Sequence, residues 1–454
     1  MSIKVSDFLY RVSNTYFIQY LQEIFDIDLD EMREIQKDFL SQMKRGLQGK
    51  ESPLKMLVTY AHMPDGNERG SFIALDLGGT NLRILLVELQ GAGKVRMVKE
   101  KRVTIHKRHT RGKAAKLFGF IARSIEDFMR ECRIKPYMKI NIGFTFSFPV
   151  KQLAINRGKL MHWTKDFAIT EEEGLDVVEL LNCALTKRNL HNLKVAALLN
   201  DTVGTLVTRG YSEHDCDAGM ILGTGTNACY IEKPSNITKA HIKGLKKKGM
   251  IVNIEWGNFD KLRLTEYDRA IDKESGNIGM QLLEKTVSGK YLGEIVRVTL
   301  KDLARRKFIF SLYPQSRPFD KPGTFNAEYL SRIEADSSSD LKQVASVFKE
   351  IGAAPTVLAE RRLVKNTCGI ISRRAARIIA SVLTAVIFKM DPYFLKRHVV
   401  AVDGSLYEKH PFFSAHILEA MRELLGKRAD KITLELTKDG SGKGAAIVAA
   451  ISTG

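Results

Sequence analysis

The chain has no means of stapling itself with disulfides: its five cysteines, Cys132, Cys183, Cys216, Cys229 and Cys368, are odd in number, scattered and never spaced as CxxC. That pattern excludes a disulfide framework and a Cys-rich structural zinc, and it reads as reduced packing residues. No apolar run reaches the roughly 20 residues that span a bilayer, and the opening MSIKVSDFLYRV lacks the apolar core of a secretory leader. The expected setting is therefore the cytoplasm. Low-complexity linkers are missing too, so any domain boundary must be a short hinge. Two common nucleotide signatures are also lacking. DGSGKGAA near the C-terminus does not have the P-loop spacing, and the GxGxxA of Gly223, Gly225 and Ala228 runs into ACYIE, a strand pattern where a dinucleotide fold needs a helix.

What is present is an ordinary globular composition. With 454 residues, 44% hydrophobic and 27% charged, the chain has length for about two or three domains and can bury a large core. Helical periodicity runs from residue 14 to 47 with a break near Asp28. Strand patterns and helix patterns then alternate to the end, which argues for an α/β architecture. The charge is lopsided at +19. VKEKRVTIHKRHTRGKAAK from Val98 carries eight Lys/Arg against one Glu, and KAHIKGLKKKG from Lys239 carries five Lys and no acid. Neither patch interleaves aromatics that would stack bases, so no nucleic-acid partner is expected; both read as solvated surface, or as a weak docking face for an anionic surface.

Two stretches share one design. FIALDLGGTNLRILLVEL, residues 72 to 89, and AGMILGTGTNACYIE, residues 218 to 232, each place a Gly-rich turn with Gly-Thr-Asn between two apolar strands. Glycine lets backbone approach a ligand, and consecutive turn amides make a nest for an anion. Asp76 beside such a nest would need a cation between itself and a phosphate, which points to Mg²⁺-nucleotide. A plain hairpin turn accounts for each stretch equally well in isolation. Asp201 follows the apolar strand VAALL, where α/β sheets place functional loops, yet a helix N-cap before TVGTLVT would also be an Asp.

In order along the chain, LDLGGTNLR, FTFSFP, WTKDF, LLNDTVGTL, ILGTGTNACYIE, NIEWGNF, EKTVSGKYLGEIVR, VDGSLYEKHP and DGSGKGAA resemble the eukaryotic-type hexokinases, from about residue 15 to the C-terminus. The resemblance implies an α/β fold of two unequal actin-like (ribonuclease H-like) domains with a ligand cleft between them. Carried over, residues 1–67 are a helical part of the large domain, 68–199 the small domain, 200–440 the large domain, and 441–454 a helix returning to the small one. It further implies ATP-dependent phosphorylation of the 6-hydroxyl of glucose and related hexoses, feeding glycolysis, with Asp201 as general base and Lys165 beside it. The sugar would be held by Ser147, Thr164, Lys165, Asn200, Asp201, Asn227, Glu255 and Glu284. ATP would meet Asp76, Gly79, Thr80, Asn81 and Arg83 on the first turn and Thr224, Gly225 and Thr226 on the second, together with Lys290, Asp403, Gly404, Ser405, Gly440 and Ser441. Asp76 would reach Mg²⁺ through water, with no direct protein ligand. A non-catalytic sugar sensor is the alternative reading of the same set. One position departs from the pattern: Gly369 stands where relatives commonly carry a threonine near the nucleotide. Hinges for cleft closure are expected at 64–70, 202–204 and 440–444.

Overall fold

The computed structural model describes residues 16–163, 167–170, 174–239 and 249–453. Two helices open it, α1 (16–25) and α2 (Leu29–Leu47), and they part where the periodicity breaks, because Asp28 caps α2 by accepting the Glu31 N–H at 2.8 Å. After the short β1 (Leu57–Val58) the first apolar pair forms the hairpin β2 (Arg69–Leu77) and β3 (Asn81–Gln90), followed by β4 (Val95–Thr104), α3 (Ala114–Glu131), β5 (Ile140–Phe146) and β6 (Leu193–Leu199). Helix α4 (Asp201–Gly210) leads into the second hairpin, β7 (Cys216–Leu222) and β8 (Thr226–Glu232), and then β9 (Met250–Asn253). A helical stretch holds α5 (Leu282–Val287), α6 (Gly289–Arg305), α7 (Ala327–Ala335) and the 33-residue α8 (Leu358–Met390). Strands β10 (His398–Asp403) and β11 (Ile432–Leu436) and helix α9 (Gly440–Ile451) complete it.

The two main sheets, which stand beside two two-stranded ones, follow one plan. In the smaller, ordered β6-β5-β2-β3-β4, the hairpin and β4 are antiparallel neighbours, and β5 and β6 add parallel beside β2. The larger, β1-β9-β8-β7-β10-β11, repeats this: β7, β8 and β9 are antiparallel, while β10 and β11 add parallel beside β7. The echo of the two turns in the sequence is thus one echo of two whole α/β units.

Alternation along β3 sends its residues to two different cores. Leu82 and Ile84 pack under α3, whereas Leu85 and Val87 face a core between the sheets that contains α4 and α9. A third core lies on the outer side of the large sheet with α1, α2 and α8. Small residues seat the central helices: a Cβ on Gly143 of β5 would come within 1.9 Å of the Ala445 carbonyl oxygen on α9, and one on Gly219 of β7 within 2.7 Å of the Thr202 oxygen on α4. The two helices also cross at glycine, since a Cβ on Gly444 would lie 2.2 Å from the Gly204 oxygen. Two of the three expected hinge segments, 202–204 and 440–444, therefore lie inside packed helices and not in loops. The sequence signal misled because glycine serves close helix approach as well as loop freedom.

All five cysteines are free thiols. No helix among the described residues is long and apolar enough to cross a membrane, α8 included.

Candidate active site

The sugar residues named from sequence meet where α4 begins. Asn200 is the helix cap: its Oδ1 accepts the Thr202 N–H at 3.0 Å and the Thr202 hydroxyl at 2.8 Å. Asp201 is the first residue inside the helix, with Oδ1 2.9 Å from the Thr202 nitrogen. The capping reading of this Asp-bearing stretch thus belongs mainly to its neighbour. From β8, Asn227 Nδ2 donates to Asn253 Oδ1 at 2.9 Å and to Glu255 Oε1 at 3.1 Å, and reaches Asn200 Oδ1 at 3.5 Å. Asn253 Nδ2 donates to the same Glu255 oxygen at 2.8 Å. One carboxylate is thereby fixed by two amides.

Glu255 sits in the left-handed region, φ 57°, a strained setting for a non-glycine residue that the surrounding bonds maintain. Burial pushes its carboxyl above the usual range and the negative Asp201 adds to that, while the Asn253 hydrogen bond, the Lys55 ammonium and the Asn227 hydrogen bond pull it back. Glu284, on α5, accepts the Thr226 N–H at 3.0 Å, and a Cβ on Gly225 would lie 2.7 Å from its Oε2. Ser147 is half-buried between Phe146 and Phe148. A cavity of about 20 Å³ joins those two rings to Asn200 and Asn253, bringing the small sheet to the edge of the sugar residues. Thr164 and Lys165 lie outside the described residues. Just before them, Trp163 stacks on Phe167 and packs edge-on against Phe148.

The residues expected to meet the nucleotide divide into two groups. Thr224, Lys290 and Ser405 line a groove of about 1070 Å³ between α6, α7 and the segment after β10, a volume suited to a nucleotide. The second turn is tied down beside it: Gly289 N–H donates to the Gly223 oxygen at 2.8 Å and Lys290 N–H to the Thr224 oxygen at 3.2 Å. Gly404 has φ 122° and no room for a Cβ, which would come within 2.4 Å of the Leu222 oxygen. The second group gathers at the start of α9. Asp403 accepts the Gly404 N–H at 2.7 Å and the Gly440 N–H at 3.1 Å. Burial raises its carboxyl, the two amides lower it, and Asp439 and Asp201 raise it again. Ser441 Oγ donates to Asp76 Oδ2 at 2.7 Å, and Arg83 lies 3.7 Å from that oxygen while bonding Asp439 at 2.7 Å and Glu100 at 3.1 Å. Gly79, Thr80 and Asn81 are not among the groove-lining residues; Thr80 and Asn81 are exposed and joined by a 3.0 Å side-chain bond.

Sequence reasoning missed Asn253, Lys55 and Asp439. Asn253 had a legible signal, since it is an amide two residues before Glu255 in an otherwise apolar strand. Lys55 and Asp439 act across the fold and had none. Among the described residues no group of three or more His, Cys, Asp or Glu is arranged to hold a metal ion. Gly369 is set back from the groove, in the middle of α8, where a Cβ would have only Glu334 Oε2 nearby, at 4.0 Å.

Comparison with known proteins gives a consistent picture. Two profiles, both described as hexokinase, match residues 18–211 and 217–451. The chain is 41% identical over 435 residues to hexokinase-2 of Oryza sativa subsp. japonica, covering 92% of this chain and 87% of that one. It is 39% identical over 442 residues to hexokinase HKDC1 of Homo sapiens, covering 94% of this chain and 47% of that longer one. Among solved structures, a Schistosoma mansoni hexokinase complexed with glucose superposes with TM-score 0.87 at 34% identity, covering 96% of this chain and 99% of the other.

Proposed function

The chain belongs to the hexokinase family, and on that premise we propose that it transfers the γ-phosphoryl group of ATP to the 6-hydroxyl of glucose or a related hexose, an entry step to glycolysis. The observation that carries the reading is the position of Asp201. It opens α4 beside Asn200, which lies 3.5 Å from the Asn227 amide that bonds Glu255, and the same helix bonds the Gly440 oxygen through Thr208, next to the Gly440 N–H that Asp403 accepts. A base that serves phosphoryl transfer has to stand at that junction.

In the proposed reaction Glu255, Glu284, Asn200 and Asn227 accept from and donate to the ring hydroxyls, which turns the 6-hydroxyl toward Asp201. The Asp201 carboxylate takes the hydroxyl proton as the oxygen attacks the γ-phosphorus; the new O–P bond forms, the bond to the bridging oxygen breaks, and ADP leaves with that electron pair. Lys165 and Thr164 are proposed to complete the sugar contacts. The exposed amides and hydroxyls of the first turn and the tethered second turn would hold the phosphates from opposite sides. Mg²⁺ fits this donor set best through water, because Asp76 and Asp403 already accept protein hydrogen bonds and Mg²⁺ keeps several of its waters. When bound it would neutralise charge on the phosphates. Five free thiols suit a reducing compartment, and the cytoplasm is the proposed setting.

The test is Asp201→Asn, measured by coupled assay beside glucose affinity and melting temperature. Asn200 keeps the cap, so the variant should stay folded and bind glucose, while kcat falls about 10²- to 10⁴-fold. More than a tenth of wild-type kcat in the folded variant would remove Asp201 as the base. Wild-type protein that binds glucose but turns over no hexose would favour the sensor.

A further inference from the structure

The excess positive charge is concentrated in one place. Between Lys94 and Lys139 the chain has fifteen Lys/Arg and four Asp/Glu, so a tenth of the residues carry +11 of the total +19. The fold gathers several of them on one face, while Arg102 shares Glu100 with Arg83 on the other side of the sheet. Strand β4 is the edge of the small sheet, and the side of it that looks toward α3 presents Lys99 and Lys101, both ion-paired with Glu131 at the end of that helix. On α3, Lys116, Arg123 and Arg130 recur every seven residues and form a single exposed stripe along a helix of 18 residues, about 27 Å. The acids of α3 are already taken up: Glu126 by Arg188, Asp127 by Arg130 and Glu131 by the two β4 lysines. What the face offers outward is positive.

At one end of the stripe the chain turns through RIKPYMK, residues 133 to 139, where Tyr137 is 81% and Met138 45% exposed between Arg133, Lys135 and Lys139. An exposed tyrosine and methionine bracketed by cations suit the headgroup level of a bilayer, where an aromatic ring sits and basic side chains meet lipid phosphates. The alternative polyanion, a nucleic acid, fits less well. Single-stranded chains are bound on a series of aromatic platforms, and Phe120 on this face is already stacked on His109, ring centroids 4.3 Å apart. Because α3 covers the side of the small sheet opposite α9, a surface held there leaves the ligand residues accessible.

We propose that the α3 and β4 face of the small sheet docks on an anionic lipid bilayer, the Lys116–Arg123–Arg130 stripe lying along the phosphates and Tyr137 with Met138 seated among the headgroups. The full-length protein should co-sediment at about 0.1 M salt with phosphatidylcholine vesicles containing about a third phosphatidylserine, and not with phosphatidylcholine alone. Raising salt to about 1 M, which shortens the screening length to about 3 Å, should weaken partitioning at least tenfold. The double variant Lys116→Glu/Arg123→Glu should do the same at low salt. Tyr137→Ser should reduce partitioning several-fold without changing its salt dependence, and both variants should melt like the wild type because all three side chains are on the surface. Equal sedimentation with both kinds of vesicle, or unaltered binding by the double variant, would overturn the proposal. So would wild-type vesicle binding by Tyr137→Ser together with displacement of the protein by single-stranded RNA, since the face would then be a general polyanion site.

Discussion

The two Gly-Thr-Asn turns have nearly the same letters and opposite mechanical characters. The second, at residues 223–227, is tied on every side: its carbonyls accept N–H groups from α6, Thr226 N–H donates to Glu284, and the Thr226 hydroxyl donates to the Ile221 oxygen while accepting the buried Trp256 Nε1–H at 2.9 Å. The first, at residues 78–81, is held by two backbone bonds, Gly78 N–H to the Asn81 oxygen at 3.0 Å and Ile105 N–H to the Thr80 oxygen at 2.8 Å, and leaves the Thr80 and Asn81 side chains exposed. Its side-chain ties to the rest of the fold are those of the flanking residues, Asp76 and Arg83, with α9 and its cap residue Asp439. One motif has become an anchor on the large sheet and an open arm on the small one. In the proposed phosphoryl transfer, a cleft that admits a nucleotide and then encloses it would use one of each.

The largest effect that separates them should come from adding one methyl group to each turn. On Gly225 the new carbon would lie 2.7 Å from Glu284 Oε2, so Gly225→Ala must push the carboxylate aside and leave the Thr226 N–H without it. A hydrogen bond to a charged group is worth about 1.5 to 3 kcal/mol, and kcat/KM for glucose should fall by about 10²-fold in a protein that still folds. On Gly78 the nearest atom to the new carbon is the Asn81 oxygen at 3.5 Å, an ordinary contact at unstrained φ. Gly78→Ala should leave glucose KM within about threefold and express any loss in ATP KM. Steady-state kinetics on both substrates decides; equal glucose defects would erase the contrast.

A smaller effect concerns protonation on the anchored side. Burial holds the Glu255 carboxyl above the usual carboxylate range. Its ionised form is the better acceptor for sugar hydroxyls, so glucose KM should rise several-fold as pH drops from neutrality through that raised pKa. The sign for stability is opposite. A group whose folded pKa is raised binds its proton more tightly in the folded state, so its stabilising contribution is present at low pH and is lost as pH rises through the folded value. Glu255→Gln should flatten both trends. Glucose KM and melting temperature followed from about pH 5 to 8 test this, and a glucose KM independent of pH in the wild type would refute it.

Much of this was legible in the sequence for a physical reason. The hairpins are local: alternating apolar residues around a turn specify both strands and their register, and α2 carries its own cap at Asp28. The residues proposed to hold the sugar, on α4, β8 and the segment after β9, were named from motif order, and the fold brings them within reach of one another. Long-range support was not. Lys55 influences Glu255 from a segment two hundred residues earlier, and Asp439 reaches Arg83 across more than three hundred and fifty. The hinge glycines were misread because a glycine that lets two helices touch and one that frees a loop are the same letter.

Gly369 should give the smallest effect. As a missing nucleotide contact, its replacement by threonine ought to lower ATP KM several-fold. The geometry argues otherwise. Gly369 faces Glu334 of α7, which is buried and lies 3.3 Å from His410 Nε2, while the neighbours Ser331, Arg332 and Ala335 on that helix line the groove. A threonine hydroxyl would therefore meet a carboxylate behind the groove wall and not the nucleotide. In the interior of α8, glycine is also the poorer helix former by about 0.3 to 0.5 kcal/mol. Gly369→Thr should thus raise the melting temperature by about 0.5 °C at most and leave ATP KM within about twofold. If ATP KM instead drops several-fold with glucose KM unchanged, the side chain at 369 reaches the nucleotide, α7 must shift on binding, and the tethered turn is less rigid than its hydrogen bonds imply.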